Sequence, residues 1–229
     1  MAASPVSAVT LPARRSGPDI LTVIAVLAVA ATFVKAMAFT PLEARQGAAQ
    51  KIFYLHVPAA WVGFLAFGLV ALAGLGYLML RDERLDRFAA SSAEVGVVFT
   101  TVVLITGPIW AKPIWGAWWT WDARLTSTLF LWFIYLGYMV LRGAIDDRAM
   151  RARYAAILGI LGALLIPFIY LSVYLFRTLH PRPTGELPSS MLQTLLIALG
   201  AFTLLYVAFV RTRYELALEQ DALDARGTA

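Results

Sequence analysis

Tryptophan is concentrated in one short segment of this sequence: five of its seven tryptophans lie between Trp110 and Trp121. Indole rings favour the membrane–water interface, and such an aromatic belt explains one or two tryptophans at a helix end. It explains five within twelve residues poorly. A dense indole surface instead indicates a platform that stacks on a large, flat aromatic ligand or docks an apolar partner. The candidate platform consists of Trp115, Trp118, Trp119 and Trp121.

The sequence contains only two histidines, His56 and His180, and no cysteine. A lone histidine near a membrane surface is usually a solvated polar group. Imidazole is also a common ligand of haem iron, and two histidines can approach one iron from opposite faces. From their positions in the chain, both histidines are predicted to lie on the same side of the membrane as the tryptophans. Helix packing decides whether they meet.

Asp122 and Arg124 follow the tryptophans directly, and each has two interpretations. Asp122 stands where a helix should begin, so it can be the N-cap of that helix or contact a ligand directly. Arg124 can anchor to a lipid phosphate or bind a carboxylate of a bound ligand. Lys112, Arg177 and Arg182 are weaker candidates for the same carboxylate-binding role.

The elements that position these residues are predicted to be membrane-spanning helices, which makes the fold all-α. Of the 229 residues, 60% are hydrophobic and only 14% are charged, too apolar a composition for one aqueous core. Spans in lipid must be helical because an open strand leaves backbone groups unpaired. Pro108 and Pro167 fall inside spans and are expected to bend them. The six predicted spans are approximately 20–39, 57–80, 93–111, 125–142, 154–176 and 190–210.

The basic residues predict the orientation of these spans. Of the 19 Lys and Arg residues, twelve fall on one side, including Arg14, Arg15 and Arg226, and seven on the other. The richer side should be cytoplasmic, which places both termini inside and the tryptophan segment outside. This distribution between short loops argues against a nucleic-acid partner despite the net charge of +5. We expect a single membrane domain over 1–229, with a retained first helix and short, loosely ordered tails over 1–18 and 212–229.

Three outward motifs together resemble a known family. The run from Trp115 to Thr126, WGAWWTWDARLT, resembles the WWD motif of haem-handling proteins. It is flanked by YLHVP at 54–58 and RTLHP at 177–181. In length, span number and motif order, the sequence resembles the CcmC family of system I cytochrome c maturation.

The resemblance implies a function and a set of partners. Proteins of this family hold haem b at the periplasmic face of the bacterial inner membrane, with the tryptophan segment from Trp115 to Asp122 against the haem. By the same resemblance, His56 and His180 are axial ligands of the iron. The haem passes to the chaperone CcmE, on which it becomes covalently attached, and the family works with CcmA, CcmB and CcmD. CcmA hydrolyses the ATP, in agreement with the lack of a P-loop in this sequence.

Two other functions are compatible with an apolar six-helix chain. A cytochrome b electron-transfer subunit usually holds its haem within the spans, whereas these histidines are predicted at helix boundaries. A transporter or channel should have ionisable residues or broken helices within its spans, and here the predicted spans carry almost no charge.

Overall fold

The computed structural model describes residues 19–180, 182 and 187–227, with side chains described as far as Asp224. The whole predicted N-terminal tail, 1–18, with Arg14 and Arg15, lies outside the described residues, as does the side chain of Arg226. Among the described residues, six helices or helix pairs are long and apolar enough to cross a membrane. This confirms the predicted all-α, multi-pass membrane architecture.

The helices follow the chain in a simple up-and-down order. A π-helical turn (Lys35–Phe39) extends α1, and a 3-10 turn (Ala48–Ile52) precedes α2. The α-helices are α1 (Ile20–Val34), α2 (Phe53–Leu80), α3 (Glu83–Trp115), α4 (Ala123–Ala144), α5 (Arg148–Ala163), α6 (Leu165–Leu175) and α7 (Ser189–Gly227). Together, α5 and α6 form one span that is interrupted at Leu164. Pro167 explains the interruption because it has no N–H to donate to the carbonyl of Ala163.

The helices extend beyond the predicted spans at several of their ends, including the following three. First, α2 begins at Phe53, so His56 lies within the helix and not before it. Second, α3 continues without interruption through Pro108 and Pro113 and ends only at Trp115. Third, α7 extends to Gly227, so the expectation of a loosely ordered tail over 212–229 was wrong for the part described. Arg211 and Glu215, which form an i, i+4 ion pair, help to continue α7 beyond the membrane.

Helix α2 is central and packs against α3, α5 and α7, while α1 lies at the periphery against α7. In the core, the rings of Phe67 and Tyr135 stack with centroids 3.6 Å apart, and the Tyr135 hydroxyl donates to the Gly159 carbonyl at 2.8 Å. A Cβ at Gly96 would lie 2.6 Å from the Phe67 ring. This close packing through small residues is typical of helices that associate in lipid.

The two ends of the bundle differ in chemistry. At the arginine end, where α2, α4 and α7 emerge, Arg142 forms a two-pronged ion pair with Asp86, and Arg87 pairs with Asp221 at 2.8 Å. These pairs join α3 to α4 and α7. At the tryptophan end, where α3 ends and α4 begins, lie the tryptophan segment and both histidines.

Candidate functional site

The tryptophan segment, residues 115–122, is a short connection between two long helices. Helix α3 stops because Gly116 adopts a left-handed conformation (φ 75°), which is strained for other residue types. Its N–H donates to the Lys112 carbonyl at 3.0 Å, and the Lys112 ammonium donates to the Gly116 carbonyl at 2.8 Å. Helix α4 starts one residue after Asp122. The indoles are therefore displayed on a turn whose two ends are fixed.

Three of the four platform indoles are exposed. Trp121, Trp118 and Trp115 have 77%, 58% and 38% of their surface accessible. Trp119 is half-buried and meets Trp121 edge-to-face at 5.7 Å. Its Nε1–H is buried and has no hydrogen-bond partner among the described residues. The segment thus presents an open aromatic surface with one unsatisfied donor beneath it.

Asp122 is the N-cap of α4, one of its two predicted roles. Its Oδ1 accepts the backbone N–H groups of Arg124 and Leu125, both at 3.0 Å. Its Oδ2 accepts the Thr120 hydroxyl at 2.9 Å and the N–H of Leu179 at 3.2 Å. Desolvation raises the pKa of Asp122, but these hydrogen bonds outweigh it and hold the pKa below its usual range. A charged Asp122 therefore joins the tryptophan segment to the segment that carries His180.

His56 lies in the first turns of α2 and is almost fully enclosed, with 9% of its surface accessible. Its Nδ1 is 2.9 Å from Oγ1 of Thr106, and its ring meets Trp110 edge-to-face at 5.7 Å. Trp110 is itself fixed by donating to the Gln46 side-chain oxygen at 3.0 Å. His56 is therefore held on an inner wall of the tryptophan end and not in free solvent.

His180 approaches the same region from the segment that follows α6. It is half-buried, and its backbone N–H donates to the Thr178 hydroxyl at 3.1 Å. The His180 imidazole and the Arg124 guanidinium are both close enough to His56 to interact with it electrostatically. The fold thus places at one end of the bundle two histidines that are 124 positions apart in the chain, His56 and His180.

The comparisons with known proteins decide the family. The family model CcmC, heme exporter protein C, matches residues 2–226. The chain belongs to the CcmC family. It is 42% identical over 176 residues to the heme exporter protein C of Bradyrhizobium diazoefficiens. The aligned region covers 74% of this chain and 67% of the relative. The chain is 36% identical over 195 residues to the heme exporter protein C of Haemophilus influenzae, covering 81% and 78%. The resemblance seen in the motifs is confirmed.

The basic residues at the tryptophan end of this CcmC-family chain differ in how many contacts their charged groups make. Arg124 is half-buried, and the one hydrogen bond of its guanidinium among the described residues is a long one, 3.5 Å, to the Ile169 carbonyl. Arg182 donates to the Val173 carbonyl at 3.0 Å and lies over the Tyr174 ring. Lys112 lies 6.0 Å from the centre of the Trp118 ring. The guanidinium of Arg124 thus keeps most of its own donor capacity for a ligand.

Sequence reasoning missed Thr106, which touches His56. Thr106 and Trp110 are four residues apart on α3 and therefore share one face of that helix. This spacing was visible in the sequence. That the shared face looks toward His56 depends on how α2 and α3 pack, which the sequence pattern did not reveal.

Proposed function

We propose that this protein binds haem b at the tryptophan end and delivers it to a CcmE-type haem chaperone. In this proposal it acts in the bacterial inner membrane, with the tryptophan end at the periplasmic face and both termini in the cytoplasm. It works in a complex with CcmA-, CcmB- and CcmD-type subunits. The observation that carries the proposal is that His56, His180 and the exposed indoles all lie at the tryptophan end.

The donor set suits an iron porphyrin better than a bare metal ion. Among the described residues, no group of three or more His, Asp or Glu side chains could hold an ion. An iron porphyrin would need only two imidazoles from the protein, and His56 and His180 would supply them. The sequence contains no cysteine, so this chain cannot hold haem through a thioether bond, and haem b is the form that we propose.

The tryptophan segment supplies the surface on which the macrocycle rests. Trp115, Trp118 and Trp121 are exposed and can cover an apolar ring face, in addition to the partly buried Trp119. The free Nε1–H of Trp119 and the weakly engaged guanidinium of Arg124 are donors suited to the haem carboxylates. Because Trp121 is the most exposed of the four, it is the indole that a chaperone would reach most easily.

The test is the haem content of the purified protein, with His56→Ala and His180→Ala as variants. We expect each to lose most of the haem that the wild type retains. Leu179→Ala is the matched control because it alters the neighbouring side chain but keeps the backbone N–H that binds Asp122. Wild-type haem content in both histidine variants would overturn the proposal.

Delivery is tested by adding a purified CcmE-type chaperone to the loaded protein in membranes. We expect haem to leave the tryptophan end and appear on the chaperone. Retention of all haem by a protein that binds the chaperone would limit the function to storage. Co-purification of CcmA-, CcmB- and CcmD-type subunits tests the proposed complex.

A further inference from the structure

The side chain of Thr106 makes two short contacts, and together they define a hydrogen-bond direction. Its Oγ1 lies 2.7 Å from the carbonyl oxygen of Val102, one helical turn earlier, and 2.9 Å from Nδ1 of His56. A carbonyl oxygen can only accept, and a threonine hydroxyl has one proton. The proton therefore lies toward Val102, since two oxygens at 2.7 Å without a proton between them would repel.

The direction of the Thr106 hydroxyl fixes the proton on His56. With its own proton on Val102, Oγ1 offers only lone pairs to the imidazole, so Nδ1 of His56 must be the donor. A neutral imidazole carries one N–H, and Nε2 is then the bare nitrogen. Nε2 makes no hydrogen bond among the described residues. Its lone pair is left unused.

We propose that Thr106 is a positioning residue that holds neutral His56 as the Nδ1–H tautomer and so presents Nε2 as an iron ligand. This inference rests on the proposed haem binding. Metal-binding histidines commonly donate their second N–H to a fixed acceptor, which sets both ring orientation and basicity. Here the acceptor, Thr106, belongs to α3 and the proposed ligand, His56, to α2. The packing of these two helices therefore sets the orientation of the imidazole.

Among the described residues, Thr106 is the one hydrogen-bond partner of the His56 ring. The edge-to-face contact with Trp110 restrains the ring plane, but this contact does not select a tautomer. At Gly107, a Cβ would lie 3.4 Å from Cε1 of His56, so α3 approaches the ring closely at this point. The hydroxyl at Thr106 is therefore the feature that distinguishes the two ring nitrogens.

The direct test reads the tautomer in haem-free protein, so it does not depend on haem binding. Protein labelled with 15N-histidine, carrying a tag without histidine, has only two imidazoles, and His180→Ala identifies the signals of His56. At a pH well above about 6.5, the ordinary pKa of histidine, we expect Nδ1 to carry the proton in the wild type. Thr106→Ser should keep this tautomer, and Thr106→Val should lose it. A wild-type His56 with its proton on Nε2, or an unchanged tautomer in Thr106→Val, would overturn the inference.

A second measurement asks whether the tautomer matters for the ligand. We expect Thr106→Val to weaken haem retention by about 10- to 100-fold, the usual effect of losing such a partner, with Thr106→Ser close to wild type. Thr100→Val is the matched control, since Thr100 makes the same backbone bond (2.8 Å to Gly96) but touches no histidine. If His56→Ala loses haem but Thr106→Val does not, the inference fails and haem binding stands. If His56→Ala and His180→Ala both keep the wild-type haem content, the proposed function fails instead.

Discussion

Asp122 and Leu179, which are 57 positions apart, are joined by a hydrogen bond from the Leu179 N–H to Oδ2 of Asp122 at 3.2 Å. The other oxygen of the same carboxylate caps α4. One side chain therefore does two things: it begins the helix that follows the tryptophan segment, and it fixes the backbone beside His180. The aspartate of the WWD-like run is, in this protein, a link between the two halves of the site.

Substitution of Asp122 by asparagine should separate these two roles. Asparagine keeps one carbonyl oxygen for the cap, but its amide nitrogen cannot accept the Leu179 N–H. We expect Asp122→Asn to retain most of the thermal stability while the segment around His180 loosens and haem retention falls. Trypsin cleavage after the exposed Arg177 should become faster. Asp122→Ala should also lose the cap, at a cost of about 0.5–2 kcal/mol in unfolding free energy.

Asp147→Asn provides the control for this experiment. Asp147 caps α5 by accepting the Met150 N–H at 2.7 Å, at the opposite end of the bundle. Its substitution should leave both haem retention and cleavage after Arg177 unchanged. Equal cleavage in Asp122→Asn and the wild type would show that the link to Leu179 does not hold the segment.

The contribution of Asp122 to stability should depend on pH in one direction. Its pKa is lower in the folded protein than in the unfolded chain, where it is about 3.9. The stabilisation is therefore complete above that unfolded value and is lost as pH falls through the folded pKa. We expect the difference in melting temperature between wild type and Asp122→Asn to be constant from about pH 5 to pH 8 and to shrink below about pH 4. A difference that disappears at neutral pH would contradict this.

A substitution of Trp121 can distinguish the two explanations of the tryptophan cluster, a platform for a ligand and an aromatic belt at the membrane surface. Because 77% of its surface is accessible, Trp121→Leu should barely change thermal stability. If the indole stacks on haem, the substitution should weaken haem binding roughly 2- to 12-fold, the range expected for an aromatic pair. Trp61→Leu is the control, since Trp61 is a half-exposed indole on α2 that bonds Thr203. Equal haem affinity in both variants would favour the belt.

The proposed orientation can be tested with single cysteines because the sequence contains none of its own. Ala44 and Ala149 are both exposed alanines, at the tryptophan end and the arginine end respectively. In intact spheroplasts, a membrane-impermeant maleimide should label Ala44→Cys at once and Ala149→Cys only after lysis. The reverse pattern would place the tryptophan end in the cytoplasm.

The sequence allowed the architecture to be predicted because spans depend on local apolar composition. The N-cap role of Asp122, one of its two predicted roles, could be recognised because caps are identified from residues close in the chain. The predicted start of α2 is too late because the sequence pattern favours a loop at Tyr54, Leu55 and His56, although the chain is already helical there. Helical order in the described part of 212–229 was missed because its polar composition resembles that of a loose tail.

Contacts between distant segments could not be derived from the sequence pattern. The bond from Leu179 to Asp122 and the contact between Thr106 and His56 both depend on how helices pack. The outward motifs suggested that the two histidines share one end of the bundle, but they gave no indication of Thr106. Residues that position a ligand from a neighbouring helix carry no signature of their own.

The electron paramagnetic resonance spectrum of the ferric haem in the purified protein tests the central claim most directly. Two imidazole ligands from His56 and His180 predict a low-spin signal in the wild type. His56→Ala and His180→Ala should each replace it with a high-spin signal or lose the haem, and added imidazole should restore the low-spin form. A low-spin signal that survives unchanged in either variant would contradict the account.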